Sequence, residues 1–136
     1  MATKITGGCA CGAVRYECDA DPIFTGNCHC RDCQKAGGGA FAPAIAVPAA
    51  ALKVSGSVKF YDSKVDNGNT MSRGFCTNCG SRVTGKSSGM PDVMIVLAGT
   101  LDDPTLFKPQ MDIYTASAQP WDHMDPALPK FPTMPM

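Results

Sequence analysis

The sequence predicts a mainly β fold with a few short helical turns. Its 136 residues include 14 glycines and 11 prolines, which break helices and favour short strands joined by turns. Several segments also alternate apolar and polar residues, which is the pattern of half-buried strands. This length fits one ordinary domain, so we expect a single domain over residues 1–136 with one shared core.

An alternating segment, residues 13–18, predicts the first strand. Val14, Tyr16 and Cys18 fall on one face of this strand, with charged residues between them. We therefore expect a half-buried strand in which Cys18 is a small core residue rather than a ligand or redox group.

The next segments predict short elements around a group of cysteines. Residues 24–27 are expected to form a short strand, and residues 31–36 one helical turn that the following glycines end. Residues 40–47 are expected to be extended, but Pro43 favours an edge strand or a bulge over a central position. Residues 48–52 are expected to form at most one helical turn.

A β-meander is predicted in the second half of the chain. Residues 58–61 and 70–75 are strand candidates, and the Asp-Asn-Gly-Asn sequence at residues 66–69 suits a hairpin turn because these residues tolerate positive φ. Residues 93–98 are a nearly continuous apolar run, which predicts a strand buried on both faces.

The C-terminal segment, residues 122–136, contains four prolines. This composition predicts an extended tail that lies over the domain. Trp121, just before the tail, is expected to anchor it by burial.

Charge and hydropathy argue against two classes of partner. Lysine plus arginine total 12 and aspartate plus glutamate total 12, so no net positive charge is available to attract nucleic acid or an anionic membrane. The longest weakly polar stretch, residues 40–52, is too short to span a bilayer, and the N-terminus has no apolar signal core. We expect a soluble, cytoplasmic protein without nucleic-acid or membrane partners.

Cysteine spacing is the most informative feature of the chain. The chain has eight cysteines and no apparent export signal, so we expect reduced thiols rather than a disulfide framework. Two thiolates separated by one or two residues can bind the same metal ion. Seven of the eight fall into three clusters, which are Cys9 with Cys11, Cys28 with Cys30 and Cys33, and Cys76 with Cys79.

The first and last clusters together supply a complete tetrahedral set of thiolates for zinc. These four ligands are Cys9, Cys11, Cys76 and Cys79. Because most of the chain separates the two halves, an ion here would clasp the first strand to a central hairpin. The spacing predicts a structural zinc site.

The middle cluster supplies only three thiolates, from Cys28, Cys30 and Cys33. A tetrahedral ion with three protein ligands keeps its fourth position for water or substrate, so this pattern predicts an open metal site at which chemistry is possible. The alternatives are that His29 or a distant residue closes the site, or that the thiols carry no metal. His29 is consistent with a hydrogen-bonding group behind the ligands, a proton shuttle or a structural histidine.

Three motifs stand in a fixed order along the chain. They are Gly-Gly-Cys-Ala-Cys-Gly at residues 7–12, Cys-His-Cys-Arg-Asp-Cys at residues 28–33, and Phe-Cys-Thr-Asn-Cys-Gly-Ser at residues 75–81. Their order and relative spacing resemble the glutathione-dependent formaldehyde-activating enzyme (Gfa) and centromere-protein-V family. Residues 98–104 and 128–131 are similar to the C-terminal half of that family.

The resemblance implies a β-rich, zinc-braced fold of the Mss4-like (β-tent) type that binds two zinc ions. It implies carbon–sulfur bond making and breaking, as in the addition of glutathione to formaldehyde to give S-hydroxymethylglutathione. The implied structural ligands are Cys9, Cys11, Cys76 and Cys79, and the implied catalytic-site ligands are Cys28, Cys30 and Cys33.

Substrate contacts are expected next to the open cluster. Gly37, Gly38 and Gly39 could expose backbone amides to a substrate carboxylate, or could simply end a helix. Phe41 could wall the pocket or belong to the core. Three arginines could pair with glutathione, which is an anionic tripeptide, although each is also explained as a surface charge. They are Arg15, Arg31 and Arg82.

The leading functional hypothesis is a zinc-dependent carbon–sulfur lyase that acts on an adduct of a small thiol, such as glutathione, with an aldehyde. The alternative is a non-catalytic, zinc-braced interaction module, because the family that the chain resembles also includes chromosome-associated members. A thiol redox protein is a third hypothesis, which the pairing of Cys76 and Cys79 with Cys9 and Cys11 disfavours.

Overall fold

The structure is a computed structural model that describes residues 4–135. Residues 1–3 and 136, which belong to the expected domain and tail, lie outside the described residues. Within the described part, ten strands form two sheets, and a single α-helix lies between the third and fourth strands. The prediction of a mainly β fold is confirmed.

The smaller sheet has three antiparallel strands in the order β1-β2-β5. These are β1 (Ile5–Gly8), β2 (Arg15–Cys18) and β5 (Leu52–Ser55). Strand β2 confirms the alternation read from the sequence, because Val14, Tyr16 and Cys18 are all buried. A short 3-10 helix, Ala49–Ala51, leads into β5. It agrees with the prediction of at most one helical turn at residues 48–52.

The larger sheet has seven strands in the order β10-β3-β4-β9-β8-β7-β6. All neighbours are antiparallel except β10 and β3, which pair in parallel. The strands in chain order are β3 (Phe24–Cys28), β4 (Ala42–Pro48), β6 (Val58–Lys64), β7 (Thr70–Cys76), β8 (Arg82–Ser87), β9 (Val93–Leu97) and β10 (Asp112–Ile113).

Strand β4 is central, so the prediction of an edge strand or bulge at Pro43 was wrong. Pro43 pairs with Asn27 of β3, but the ladder to β9 begins only at Ala44. Proline therefore occupies a position that has a strand neighbour on one side alone, where its missing N–H is tolerated. The strand is central as a whole and edge-like only at this residue.

The predicted meander and its turn are confirmed. Strands β6 to β9 follow one another as antiparallel neighbours, and Gly68 adopts φ 88° in the turn between β6 and β7. The register between β7 and β8 shifts between Gly74 and Phe75, which marks a β-bulge.

The two faces of the larger sheet contribute side chains to two different buried clusters. One face joins the smaller sheet in the main apolar core, which contains Ile45, Val47 and Val96. The second buried cluster contains Leu97, the residue after Val96, together with Ala42 and Cys33. Since neighbouring side chains on a strand point to opposite faces, β9 contributes to both clusters, as its apolar run predicts.

The α-helix, α1 (Arg31–Gly37), ends where the glycine run predicts. Gly38 adopts φ 77° and its N–H bonds to the carbonyl of Gln34 at 2.7 Å. None of the described helices has the length and apolar character that crossing a membrane requires.

The described part of the tail contacts β10, but turns and bends at residues 126–128 and 132–134 interrupt the extended chain that was predicted. Asp112 and Lys130 form a parallel bridge, and the Phe131 N–H bonds to the carbonyl of Asp112 at 2.9 Å. The prediction that Trp121 anchors this tail by burial was wrong, because Trp121 is 60% exposed. The neighbouring Asp122 anchors it instead, through a carboxylate whose side chain is 2% exposed.

Candidate functional site

The first and last cysteine clusters meet in space. Cys9 and Cys11 follow β1, whereas Cys76 ends β7 and Cys79 lies in the turn after it. Their four Sγ atoms all lie within 4.8 Å of one another. We call them the four-cysteine group. Gly12 and Gly80 each adopt positive φ, 81° and 78°, directly after a cysteine, where a side chain would be strained.

The geometry of the four-cysteine group fits a tetrahedral zinc ion. Sulfurs about 2.3 Å from a common ion stand about 3.8 Å apart at tetrahedral angles. The observed Sγ separations are 3.5 Å between Cys9 and Cys11, and 3.8 Å between Cys11 and Cys76. All eight cysteines of the chain are free thiols.

Backbone amides point at two of these sulfurs, and a hydrogen bond donated to sulfur favours its charged form. The N–H of Val14 donates to Cys9 Sγ at 3.2 Å, and the N–H of Asn78 donates to Cys76 Sγ at 3.3 Å. The hydroxyl of Ser81 lies 3.2 Å from Cys79 Sγ and lowers the pKa of Cys79 to about 5. Thiolates stabilised in this way are suited to a metal ion.

The middle cluster also converges. Cys28 ends β3, Cys30 caps the N-terminus of α1, and Cys33 lies in the first turn of α1. Their Sγ atoms lie within 4.8 Å of one another, and we call them the three-cysteine group. The Cys33 N–H donates to Cys30 Sγ at 3.3 Å. Hydrogen bonding between the sulfurs lowers the pKa of Cys30 and raises that of Cys28.

The three-cysteine group supplies an incomplete ligand set. Among residues 4–135, the cluster of candidate ligand atoms at this position consists of three thiols, whereas the other cluster has four. Three sulfurs at this separation fit an ion that holds one further ligand from outside the group.

His29 does not face the three sulfurs as a fourth ligand. Its side chain is 1% exposed, and each ring nitrogen meets a carboxylate. Nε2 lies 2.9 Å from Asp112 Oδ1, and Nδ1 lies 2.5 Å from Asp122 Oδ2. Lys130 Nζ and Asn27 Nδ2 hold the Asp112 carboxylate in turn, at 3.2 and 3.3 Å. The imidazole therefore ties the loop between Cys28 and Cys30 to the C-terminal segment.

A second contact fixes the same loop from the helix. Gln34 is buried, and its Nε2 donates to the carbonyls of His29 at 2.7 Å and Ser117 at 3.0 Å. Sequence reasoning missed Gln34, Asp112 and Asp122, because their partners are remote and no local motif marks them.

The expected substrate contacts lie on the exposed side of the helix end. Gly37, Gly38 and Gly39 are exposed, and a Cβ built at any of them would meet nothing within 4 Å. Phe41 is 37% exposed, and its ring centroid lies 5.2 Å from that of His29. All four residues are therefore accessible to solvent.

Tyr114 sits beside the three-cysteine group in an unusual backbone conformation. It follows β10 directly, and β10 pairs with the end of β3 at Cys28. Tyr114 has φ 57°, the one positive φ of a residue other than glycine in the described range. Burial, followed by the negative charge of Cys28, raises the pKa of Tyr114. Nothing in the sequence signalled this residue.

The arginines divide between surface pairs and the site. Arg15 pairs with Asp102 and Arg31 donates to Gln34, so neither points at the three sulfurs. Arg73, which sequence reasoning missed, is buried and donates to Cys33 Sγ at 4.0 Å.

Comparison with known families gives one match over most of the chain. The model of a family described as glutathione-dependent formaldehyde-activating enzyme matches residues 4–117. The resemblance read from the three cysteine motifs is thereby confirmed. No curated protein matches the sequence at the significance required.

A solved structure with a similar fold is the crystal structure of a Rhodobacter sphaeroides protein. It has 23% sequence identity to this chain and a TM-score of 0.59, and the match covers 76% of this chain and 96% of that one. At this identity the likeness concerns the fold alone.

Proposed function

The chain belongs to the glutathione-dependent formaldehyde-activating enzyme family, and from this we propose that it is a zinc-dependent carbon–sulfur lyase acting on a thiol–aldehyde adduct. At the level of the family, the substrates are glutathione and formaldehyde. We propose S-hydroxymethylglutathione, the adduct of these two compounds, as the substrate.

The observation that carries this proposal is the incomplete ligand set of the three-cysteine group. Cys28, Cys30 and Cys33 converge at the N-terminus of α1 without a fourth thiol. A zinc ion bound here would supply a Lewis acid and a site for thiolate binding, which both favour addition of sulfur to a carbonyl. Three soft sulfur ligands suit a substrate that is itself a thiol.

The residues of the chain hold the reacting groups in place. We propose that the three sulfurs form one wall of the site and that His29, fixed between two aspartates, keeps their loop rigid. The exposed glycines after α1 and the ring of Phe41 form the outer wall.

The reaction itself is a balanced addition and its reverse. The lone pair of the substrate sulfur attacks the carbonyl carbon and a C–S bond forms while the C=O π bond breaks. The oxygen takes up the proton that the thiol has lost. In the lyase direction, the hydroxyl loses its proton, the C=O bond forms again, the C–S bond breaks, and its electrons return to sulfur, which takes up a proton to give the thiol.

We propose a different task for the four-cysteine group. Cys9 and Cys76 are buried in the main core, and their chain segments come from different sheets. A zinc ion held by four protein sulfurs has no open position, so it contributes to folding rather than to the reaction.

Exchange spectroscopy tests the proposed activity. Formaldehyde, glutathione and their adduct are mixed at equilibrium, and NMR measures the exchange rate with and without the zinc-loaded protein. We expect acceleration by the wild-type protein and none by Cys30→Ser or by the metal-free protein. Cys18→Ser is the matched control, because Cys18 is buried outside both groups, and it should retain the acceleration.

Two results would contradict the proposal. Exchange without acceleration at full zinc occupancy would favour the alternative, a zinc-braced interaction module. Full acceleration by Cys30→Ser would remove the three-cysteine group from the reaction.

A further inference from the structure

Two arginines from neighbouring strands lie beside the three-cysteine group. Arg73 of β7 is 7% exposed and donates to Cys33 Sγ at 4.0 Å and to Ser63 Oγ at 3.2 Å. Arg82 begins β8, and the charges that act on it are those of Arg73 and of the three thiols. We call Arg73 and Arg82 the arginine pair.

The β-bulge places both side chains on the same face of the sheet. Arg73 stands opposite Gly85, and Phe75, two residues further along β7, stands opposite Arg82. Side chains alternate between the two faces along a regular strand. Without the bulge, Arg82, three residues before Gly85, would therefore point to the face opposite that of Arg73. The extra residue of the bulge restores the alignment, as bulges beside functional sites commonly do.

The side chain of Arg82 reaches across to Gly85. A Cβ built at Gly85 would lie 3.6 Å from Arg82 Nη2, so the guanidinium of Arg82 extends over the position opposite Arg73. The arginine pair is therefore a local cluster of two cations.

The arginine pair has unused donors. The Nε atoms of Arg73 and Arg82 are both buried and have no hydrogen-bond partner among the described residues. A buried donor without a partner costs free energy, and a guanidinium needs several acceptors to be satisfied. Burial, followed by the neighbouring positive charge of Arg73, lowers the pKa of Arg82.

Charge balance points to an anionic ligand. Three thiolates around a divalent ion leave one negative charge, and the arginine pair brings two positive charges. The ion, its three thiolates and the arginine pair together would carry one net positive charge. Guanidinium groups bind carboxylates through paired N–H donors, and a carboxylate would accept from the donors that are now unused.

We propose that the arginine pair is a carboxylate-binding subsite beside the three-cysteine group, and that it orients the substrate by its carboxylate while the reacting sulfur and carbonyl meet at the group. This inference rests on the proposed function. It assigns the specificity of the site to substrates that carry a carboxylate a short distance from the reacting atom.

Calorimetric titration of the zinc-loaded protein tests the subsite without measuring turnover. The probes are 3-mercaptopropionate and 3-mercaptopropionamide, which share the thiol and differ in the charge of the terminal group. We expect the wild-type protein to bind the acid about tenfold more tightly than the amide, because hydrogen bonds between charged groups are the stronger kind. A parallel pair, glyoxylate and its amide, shows whether the carboxylate belongs to the aldehyde instead.

Variants of Arg82 test whether this residue causes the preference for the acid over the amide. Arg82→Gln should bind acid and amide with affinities within about threefold, whereas Arg82→Lys, which keeps the charge but loses the paired donors, should retain part of the preference. Lys59→Gln is the matched control, since Lys59 is an exposed cation opposite Phe75 in the same cross-strand row. It should leave the preference unchanged.

The outcomes separate the subsite from the proposed function. If the wild-type protein binds both thiols equally and both aldehydes equally, the subsite is overturned while thiol binding at the three-cysteine group stands. Equal weakening of acid and amide in Arg82→Gln also overturns it, because the arginine then only compensates the charge of the sulfurs. If neither thiol nor aldehyde binds, the subsite and the proposed function both fail.

Discussion

Cys76→Ser removes one sulfur of the four-cysteine group, and its effect on stability can be worked from the fold. Cys11 and Cys76, whose sulfurs lie 3.8 Å apart, are separated by 65 residues. A cross-link that closes a loop of this length removes about 4 kcal/mol of conformational freedom from the unfolded chain. A domain of this kind has a total stability of about 5–15 kcal/mol. Loss of the clasp should therefore remove about a quarter to four-fifths of the stability.

Urea unfolding followed by circular dichroism measures this loss, with zinc per chain determined on the same samples. Cys76→Ser should lose about 4 kcal/mol or fail to fold, because three remaining sulfurs hold the ion less tightly. Cys30→Ser should stay folded with one zinc fewer. Cys18→Ser, which changes a thiol that is 1% exposed in the same core, should lose about 1 kcal/mol and no zinc.

The reasoning is refuted if Cys76→Ser is no less stable than Cys18→Ser. Equal losses in Cys76→Ser and Cys30→Ser would refute the division of tasks between the two groups.

Two further predictions concern buried polar groups. Asp122→Asn leaves the imidazole of His29 with one carboxylate, and we expect a chelator to remove zinc from the three-cysteine group at about tenfold lower concentration, with the four-cysteine zinc unaffected. Burial raises the pKa of Tyr16, so its folded pKa lies above the unfolded value of about 10. The neutral phenol then stabilises the fold below pH 10, and this contribution disappears as pH rises through the folded pKa. In urea unfolding from pH 8 to 11, wild type should lose more stability than Tyr16→Phe; parallel curves would contradict this.

The cysteine groups could be predicted from the sequence because their signal is local. Cys28, Cys30 and Cys33 lie within six consecutive residues. In a protein whose thiols are reduced, closely spaced cysteines usually indicate metal binding. Cys9 and Cys76 lie far apart in the sequence, but each has a second cysteine close by. The two pairs together supply the four ligands of a tetrahedral site, and this number allowed them to be assigned to one site.

The surroundings of the three-cysteine group could not be predicted in the same way. His29 bonds to Asp112 and Asp122, which lie 83 and 93 residues away, and nothing local distinguishes these two aspartates from the others. The juxtaposition of Arg73 and Arg82 depends on a one-residue bulge, which changes the face of a side chain without leaving a periodic signal.

The two cysteine groups belong to different buried clusters, and this separation bears on how the chain can combine stability with ligand exchange. Cys9 and Cys76 pack in the main core between the sheets, whereas Cys33 packs with Leu97 in the second cluster. Strand β9 contributes to both clusters through alternate side chains, so the two are adjacent but share no sulfur. Under the proposed function, a substrate thiol therefore enters and leaves the ligand set of the three-cysteine group without disturbing the four-cysteine group. On this proposal, exchange at one group and permanence at the other follow from the number of sulfurs and from the different buried clusters to which the two groups belong.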